Sequence, residues 1–113
     1  MCLFCDFAEK KIPIEIVCEN EHVFCIRDIK PVAPVHVLLI TKKHYDDVLA
    51  LANAAEAGDV MLSITKAISD IVDQLGLESG FRLINNCREN GGQTIMHTHI
   101  HVIGQTKLSA DII

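Results

Sequence analysis

The chain has 113 residues and a net charge of −5; half of its residues are apolar and only 4% are aromatic. This length suits one domain, and the composition excludes a disordered, collagen-like or coiled-coil chain. The acidic balance argues against binding to nucleic acid or to an anionic membrane, since both need clustered Lys and Arg. The apolar surplus in so small a chain indicates a subunit interface.

The five cysteines are an odd number, which disulfide scaffolds rarely have. The first residues lack a basic region followed by a long apolar stretch, so we expect no export and a reducing, cytoplasmic setting. Cys18, Cys25 and Cys87 are predicted to be small packing residues. Cys2 and Cys5 form a CxxC pair, which alone is compatible with redox chemistry, metal binding or chance.

In chain order, residues 15–18 and 23–26 are predicted to be short strands separated by a polar turn at 19–22. The β-branched run 35–40 predicts a central strand. Apolar residues then recur at helical spacing from Val60 to Leu75.

Asn53 with Glu56 resembles a capping box that would start this helix early, and Gly76 is a predicted stop. Two further strands are expected at 81–85 and around 98–102, on either side of a polar loop at 86–93. Strands, then a helix, then strands predict an α+β domain with a largely antiparallel sheet rather than a Rossmann fold.

The three alternating histidines His97, His99 and His101 are the most unusual feature of the chain. Strand side chains alternate between faces, so these imidazoles are predicted to share one face while Thr98, Ile100 and Val102 face the core. Since positions two apart lie about 6–7 Å from each other, an extended substrate suits the row better than one metal ion. A polar surface or a tag fragment is the alternative, but tag histidines would be consecutive and terminal.

A glycine pair stands just before this row, in Gly91-Gly92-Gln93-Thr94. Paired glycines let backbone N–H groups approach an anion, and Gln93 and Thr94 add side-chain donors. The loop is therefore a candidate phosphate site, although most such pairs are only turns. From the bare sequence, His36 is either a supporting site residue or a hydrogen-bonded core histidine, and His22 is a surface residue.

Together these motifs resemble the histidine triad (HIT) family, and most closely its HINT branch of nucleoside phosphoramidate hydrolases. The resemblance is carried by residues 2–5, 26–29, 34–37, 42–44, 85–86 and 91–101. It implies a HIT-like α+β fold over residues 1–113, with a five-stranded antiparallel sheet and a long central helix. It also implies a homodimer across which the sheet continues.

For the chemistry, the resemblance implies hydrolysis of purine nucleoside phosphoramidates, or of aminoacyl-adenylates, through a nucleotidyl-histidine. His99 would be the nucleophile, with His36 supporting the triad. His101, Gln93 and Thr94 would bind the phosphoryl oxygens. The nucleotide would also meet Asp28, at the ribose hydroxyls, together with Asn86 and Gly92.

HIT proteins with the amino-terminal CxxC carry a structural zinc, and the matching ligands here are Cys2, Cys5, His44 and His97. Two thiolates and two imidazoles form a closed tetrahedral zinc site with no open position for catalysis. Zinc would remove His97 as a proton donor. A reduced, metal-free pair is the alternative.

Three alternative functions remain at this point. A dinucleoside polyphosphate hydrolase would use a similar apparatus, and residues 105–113 lack the aromatic tail of some HINT proteins. A nucleotide-binding or partner-binding module with little turnover is a second alternative, against which the intact His99 argues. A cupin-like metal oxidase using the HxH pair is disfavoured because a nearby Glu is absent.

Overall fold

The computed structural model describes residues 2–112. It contains five strands: β1 (Cys18–Glu19), β2 (Val23–Arg27), β3 (Val35–Thr41), β4 (Phe81–Ile84) and β5 (His99–Gly104). The helices are α1 (Leu3–Ala8), α2 (Val48–Ala52) and α3 (Ala57–Leu75). All neighbouring strands are antiparallel, in the order β1-β2-β3-β5-β4. This confirms the predicted α+β class, the five-stranded antiparallel sheet and the long helix.

One face of the sheet is covered by α3. The buried side of this helix repeats at the predicted helical spacing and packs on alternate residues of the central strands. These core residues are Val60, Ile64, Ala67 and Ile71 from the helix and Val37, Leu39 and Val102 from the sheet. Gly76 ends the helix at a φ of +68°, a conformation that favours glycine, as predicted. Within residues 2–112, no helix is long and apolar enough to cross a bilayer.

The opposite face of the sheet carries α1 and the imidazoles. Phe4 and Phe7 of α1 pack on a second apolar cluster that includes Leu38 and Ile40 of β3. In the β3–β5 ladder His99 lies opposite Ile40, and His101 lies opposite Leu38. Directly opposed residues share a face of the sheet, so these two imidazoles stand beside α1.

The predicted first strand is shorter than expected. β1 contains only Cys18 and Glu19, whereas residues 15–18 were predicted. Cys18 is registered opposite Cys25, but the Val17 N–H also donates to the Cys25 carbonyl, so the regular ladder stops there. After β1, the Asn20 side chain accepts hydrogen bonds from the next turn residues and closes the hairpin.

The predicted capping box is wrong. Asn53 ends α2, where its side-chain amide donates to the Leu49 carbonyl. Glu56 precedes α3 but makes no side-chain cap, because its carboxylate accepts from Lys43 and Tyr45 instead. Neither α1 nor α2, which have six and five residues, was predicted from the sequence pattern.

The histidine row is only partly a strand. β5 begins at His99, because the Thr98 N–H donates to the Tyr45 carbonyl and the His97 N–H donates to the Ile95 carbonyl. His97 therefore lies just outside the strand, but its imidazole is on the same α1-covered side as that of His99, since the Phe4 ring contacts both. The His97 ring also reaches Cys2 and Cys5 at the amino terminus.

Candidate active site and metal centre

Four predicted metal ligands converge in what we name the Cys–His cluster: Cys2, Cys5, His44 and His97. Cys2 caps α1 and Cys5 lies one turn later, so a single helical turn places both thiols on one side. His44 follows β3, and His97 precedes β5. The cluster thus joins the amino terminus to the two central strands.

The ligand atoms of the Cys–His cluster form a tetrahedron. Its sulfur–sulfur edge is 3.3 Å and its nitrogen–nitrogen edge, between the two Nδ1 atoms, is 3.2 Å. The four sulfur–nitrogen edges are 3.2, 3.2, 3.4 and 3.8 Å. Zinc bonds of about 2.3 Å to sulfur and 2.0–2.1 Å to nitrogen require edges of about 3.3–3.8 Å. The donor set and its size therefore fit Zn²⁺.

In both imidazoles the nitrogen that faces away from the cluster, Nε2, carries the proton, so the lone pair of Nδ1 faces the centre. His97 Nε2 lies 2.7 Å from the Thr41 carbonyl, which can only accept, so this nitrogen carries the proton. His44 Nε2 donates in the same way to the Asp46 carboxylate at 2.6 Å. Burial lowers the pKa of His97, which favours the neutral imidazole that a metal requires. Outer hydrogen bonds of this kind are typical of metal-binding histidines.

A second group, the Asp–His cluster, consists of Asp28, His36 and His101. Asp28 follows β2, and the histidines lie on the central strands β3 and β5. His36 Nε2 is 2.9 Å from His101 Nδ1 and 3.3 Å from Asp28 Oδ2. A supporting role was one of the two predictions for His36, and the structure brings its imidazole close to both His101 and Asp28.

The far nitrogen of His36 accepts a hydrogen bond instead of donating one. The Val32 backbone N–H donates to His36 Nδ1 at 3.1 Å, so the proton of the neutral imidazole lies on Nε2, inside the cluster. A metal bound at Nε2 would force this proton onto Nδ1, against the Val32 N–H. The Asp–His cluster is therefore built to hold a proton. His101 Nδ1 accepts that proton, which leaves the His101 N–H on Nε2.

His99 has the opposite tautomer. Its Nδ1 lies 2.7 Å from the His97 carbonyl and must donate, so the lone pair is on Nε2. The Asn85 side chain donates to the His99 carbonyl, and the Phe4 ring meets the imidazole edge-on. The ring centroids of His99 and His101 are 5.3 Å apart. The structure thus places a free imidazole lone pair beside an imidazole N–H. The contacts of Asn85 and Phe4 with His99 have no signal in the sequence.

The predicted phosphate loop is a single turn of 3₁₀ helix, Glu89–Gly91, followed by Gly92 at a φ of +79°. Gln93 holds it closed: its Nε2 donates to the Asp46 and Ile95 carbonyls, and its Oε1 accepts the Arg88 N–H. Both Nε2 protons are thus used inside the loop, which leaves no free donor for the phosphate contact predicted for Gln93.

Backbone groups of the same loop are also engaged. The N–H groups of Gly91 and Gly92 donate to the carbonyls of Arg88 and Glu89. Thr94 is exposed and Asn86 is half-buried beside this turn. An ion pair between Arg88 and Asp47, at 2.9 Å, ties the loop to the start of α2. The conformation of the loop is therefore fixed by its own hydrogen bonds and by this ion pair.

The fold, the His99–His101 pair and the Cys–His cluster define a class of small α+β proteins with adjacent imidazoles on one face of an antiparallel sheet. The HIT domain family matches residues 9–108, so the chain belongs to the HIT family. Protein HitA of Neisseria gonorrhoeae is 39% identical over 104 residues, covering 91% of this chain and 94% of its own.

Two further proteins are similar to the chain over nearly its whole length. The "14 kDa zinc-binding protein" of Zea mays is 35% identical over 108 residues, covering 95% of this chain and 84% of its own. The crystal structure of a HIT family hydrolase from Legionella pneumophila has a TM-score of 0.89 at 32% identity, covering 97% of each chain. The family match begins at residue 9, so Cys2 and Cys5 lie outside it.

Proposed function

We propose that the chain hydrolyses purine nucleoside phosphoramidates, such as adenosine 5′-phosphoramidate, through a nucleotidyl-histidine at His99. The observation that carries this proposal is the His99 tautomer, because the His97 carbonyl holds the proton on Nδ1 and leaves Nε2 nucleophilic. A HIT protein from Legionella pneumophila, similar over nearly the whole chain, is named a hydrolase. Its name supports the reaction class and not the substrate.

The reaction has two displacements at phosphorus. First, the lone pair of His99 Nε2 forms a bond to the α-phosphorus while the P–N bond to the leaving amine breaks. The amine departs with that electron pair and takes up one proton. A water oxygen then bonds to the phosphorus, the bond to His99 breaks, and one water proton is released. The products are the amine and a nucleoside monophosphate.

Charge that develops on the phosphoryl oxygens needs hydrogen-bond donors. The His101 Nε2–H stands next to the nucleophile, and the Thr94 hydroxyl is exposed at the loop. In this proposal Gln93 holds the conformation of the loop that carries Thr94. Asn86 and Gly92 of the same loop would also contact the nucleotide. Asp28 binds the ribose hydroxyls, since an ionised carboxylate only accepts hydrogen bonds.

Steady-state rates on a fluorogenic adenosine phosphoramidate, compared with diadenosine triphosphate and tetraphosphate, test the substrate class. We expect the phosphoramidate to give the highest kcat/KM; a higher value on a diadenosine polyphosphate would contradict this.

The nucleophile is tested by His99→Ala, which should lower kcat by at least about 10³-fold while nucleotide affinity persists. His22→Ala, in the surface turn, is the control and should retain the rate. Unchanged turnover in His99→Ala refutes the covalent mechanism. Nucleotide binding without turnover in the unsubstituted chain would indicate a binding module instead.

The Cys–His cluster would hold a structural zinc ion in this proposal. Zinc bound there would stabilise the fold and cross-link α1 to the start of β5, with all four positions filled by protein. The relative from Zea mays that is named a zinc-binding protein supports the choice of metal. His97 would then serve catalysis only through its carbonyl, which orients His99.

A homodimer is the remaining part of the proposal. β4 is an edge strand, and its Phe81 and Leu83 are exposed, as are Met61 and Leu62 of α3. An exposed edge next to apolar side chains suits pairing with a second copy, which would continue the sheet. Light scattering should give about twice the chain mass of 12.5 kDa. A single-chain mass at micromolar concentration would contradict the dimer.

A further inference from the structure

Two cysteines outside the Cys–His cluster lie directly opposite each other in the sheet. Cys18 of β1 is registered with Cys25 of β2. Directly opposed residues of an antiparallel pair share a face of the sheet, with Cα atoms about 4.5–5.5 Å apart. Disulfides are found at Cα separations of about 4.4–6.8 Å. The register therefore places the two thiols where one S–S bond can join them.

The hairpin that carries these cysteines is held against α3. Both side chains are on the α3 side of the sheet, where one belongs to the core cluster and the other packs against it. The Gln74 amide of α3 donates to the Val17 carbonyl at 3.0 Å. On the other side of β1, the Asn20 amide donates to the Ser63 carbonyl at 2.8 Å. These contacts keep the cysteines opposed, although β1 has only two residues.

The two cysteines differ in their access to solvent and in their pKa. Cys18 is half-buried at the edge of the sheet, whereas Cys25 is 0% exposed. The Cys25 thiol can donate to a Cys18 thiolate, which lowers the pKa of Cys18 despite partial burial and the nearby Asp70 carboxylate. The neighbouring Cys18 and burial raise the pKa of Cys25. An accessible thiol of lowered pKa beside a second thiol is typical of an attacking and a resolving cysteine.

We propose that Cys18 and Cys25 form a thiol-modification site that reacts with low-molecular-weight disulfides and closes to an intramolecular disulfide. Cys18 is the attacking residue, because a reagent can reach its sulfur, and Cys25 is the resolving residue. The site is independent of the proposed function, since neither residue belongs to the Cys–His or the Asp–His cluster. β1 and β4 are opposite edges of the sheet, so a second copy paired at β4 would leave this edge open.

The modification consists of two thiol–disulfide exchanges. In the first, the Cys18 sulfur bonds to one sulfur of the small disulfide, whose S–S bond breaks. The other half leaves as a thiol with the proton that Cys18 released. In the second, the Cys25 sulfur bonds to the Cys18 sulfur, the mixed S–S bond breaks, and the remaining half leaves with the proton of Cys25. The protein gives up two protons and two electrons, and the small disulfide is reduced to two thiols.

The test treats the folded, zinc-saturated protein with oxidised glutathione and follows each cysteine by mass spectrometry. Glu19 and Glu21 lie between the two cysteines in the chain. Cleavage after Glu therefore separates the cysteines into peptides that only a disulfide keeps together. Cys18→Ala and Cys25→Ala each remove one thiol of the pair, and Cys87→Ala is the matched control at another half-buried cysteine. Thermal melting establishes that each variant folds, and Cys25→Ser replaces Cys25→Ala if the latter does not.

We expect the unsubstituted chain and Cys87→Ala to give the linked peptides, and dithiothreitol to restore both thiols. Cys25→Ala should accumulate one glutathione on Cys18, because no second thiol displaces it. Cys18→Ala should slow the modification of Cys25 by at least about tenfold, because the remaining sulfur is buried.

Three results would overturn the proposal. The first is a lasting glutathione adduct on Cys18 of the unsubstituted chain, which would show that Cys25 does not resolve it. The second is free thiols at Cys18 and Cys25 under conditions that modify Cys87. The third is an undiminished rate of modification of Cys25 in Cys18→Ala, because the attack would then not depend on Cys18.

Discussion

The Cys–His cluster and the Asp–His cluster both depend on histidine side chains, but the first is arranged to bind a metal and the second to hold a proton. In the first, Thr41 and Asp46 accept protons from the far nitrogens of His97 and His44, so lone pairs face the centre. In the second, the Val32 N–H donates to the far nitrogen of His36, so a proton faces the centre. Whether an imidazole is ready for a metal or for a proton is decided by the group behind it.

The two clusters meet at one segment of the chain. His97 belongs to the Cys–His cluster through its side chain, and its carbonyl sets the tautomer of His99 next to His101. Phe4 of α1 touches the rings of both His97 and His99. A metal at the amino terminus would therefore stabilise the backbone that orients His99, without taking part in the reaction proposed for His99.

The largest expected effect is the loss of the metal. Cys2→Ser combined with Cys5→Ser should lower the free energy of unfolding by about 5–10 kcal/mol, because the binding energy of a structural zinc is also folding energy. Chelation of the unsubstituted chain should lower its melting temperature toward that of the variant. Cys87→Ser, at a half-buried position outside the cluster, is the control. A double variant that melts with the unsubstituted chain would show that the Cys–His cluster holds no structural metal.

Phe4→Ala tests the contact between the clusters. The ring is 2% exposed and packs on Ile40 and both histidines, so its removal should cost about 3–5 kcal/mol. We expect kcat to fall as well, because the His99 imidazole loses its edge-on contact with the Phe4 ring. Leu3→Ala on the exposed side of α1 should change neither quantity. Thermal melting gives the stability and steady-state kinetics give kcat. A loss of stability with unchanged kcat would show that the Phe4 contact between the clusters does not affect catalysis.

Asp46→Asn tests the outer hydrogen bond of the Cys–His cluster. Replacing the carboxylate that accepts from His44 Nε2 should weaken zinc binding by about 10- to 100-fold. Competition with a chromophoric chelator measures this affinity, and Asp73→Asn on the exposed side of α3 is the control. Equal affinities in the two variants would mean that Asp46 does not orient His44.

The smallest effect is the pH dependence of the Asp–His cluster. Burial lowers the pKa of His101 below its usual 6.5, and the neighbouring His99 and His36 lower it further against Asp28. Because the unfolded chain binds this proton more readily, the contribution to stability is complete above pH 6.5 and is lost as the pH falls through the folded value. Melting of metal-loaded protein from pH 8 to 5 should show a steeper decline for the unsubstituted chain than for His101→Asn. Parallel curves would contradict this assignment.

Much of the fold could be predicted because its signals are local. The helical spacing from Val60 to Leu75 specifies a helix with one buried face. The β-branched run at 35–40 specifies a strand that is buried on both faces. The two short helices, α1 and α2, could not be predicted because five or six residues are too few to show a helical repeat. Their starts depend on side-chain caps at Cys2 and Asp47, which only the fold reveals as caps.

The sequence predicted which residues form the site, but not which nitrogen of each imidazole carries the proton. The alternating histidines, the CxxC pair and the resemblance to HIT proteins placed every ligand of the Cys–His cluster. Strand periodicity wrongly placed His97 inside the strand, which begins at His99 because the Thr98 N–H donates to Tyr45 instead of to the ladder. The backbone groups of Val32 and Thr41 have no sequence signature. They nevertheless decide which nitrogen of His36 and His97 carries the proton.

The tautomers of the histidines test the central claim most directly. Long-range ¹H–¹⁵N correlation spectra of zinc-loaded protein at pH 8 report which nitrogen of each imidazole is protonated. We expect the proton of His36 on Nε2, and metal-bound Nδ1 with a protonated Nε2 in His44 and His97. A His36 proton on Nδ1, or a metal-shifted nitrogen in His36 or His101, would contradict the division into one metal-holding and one proton-holding cluster.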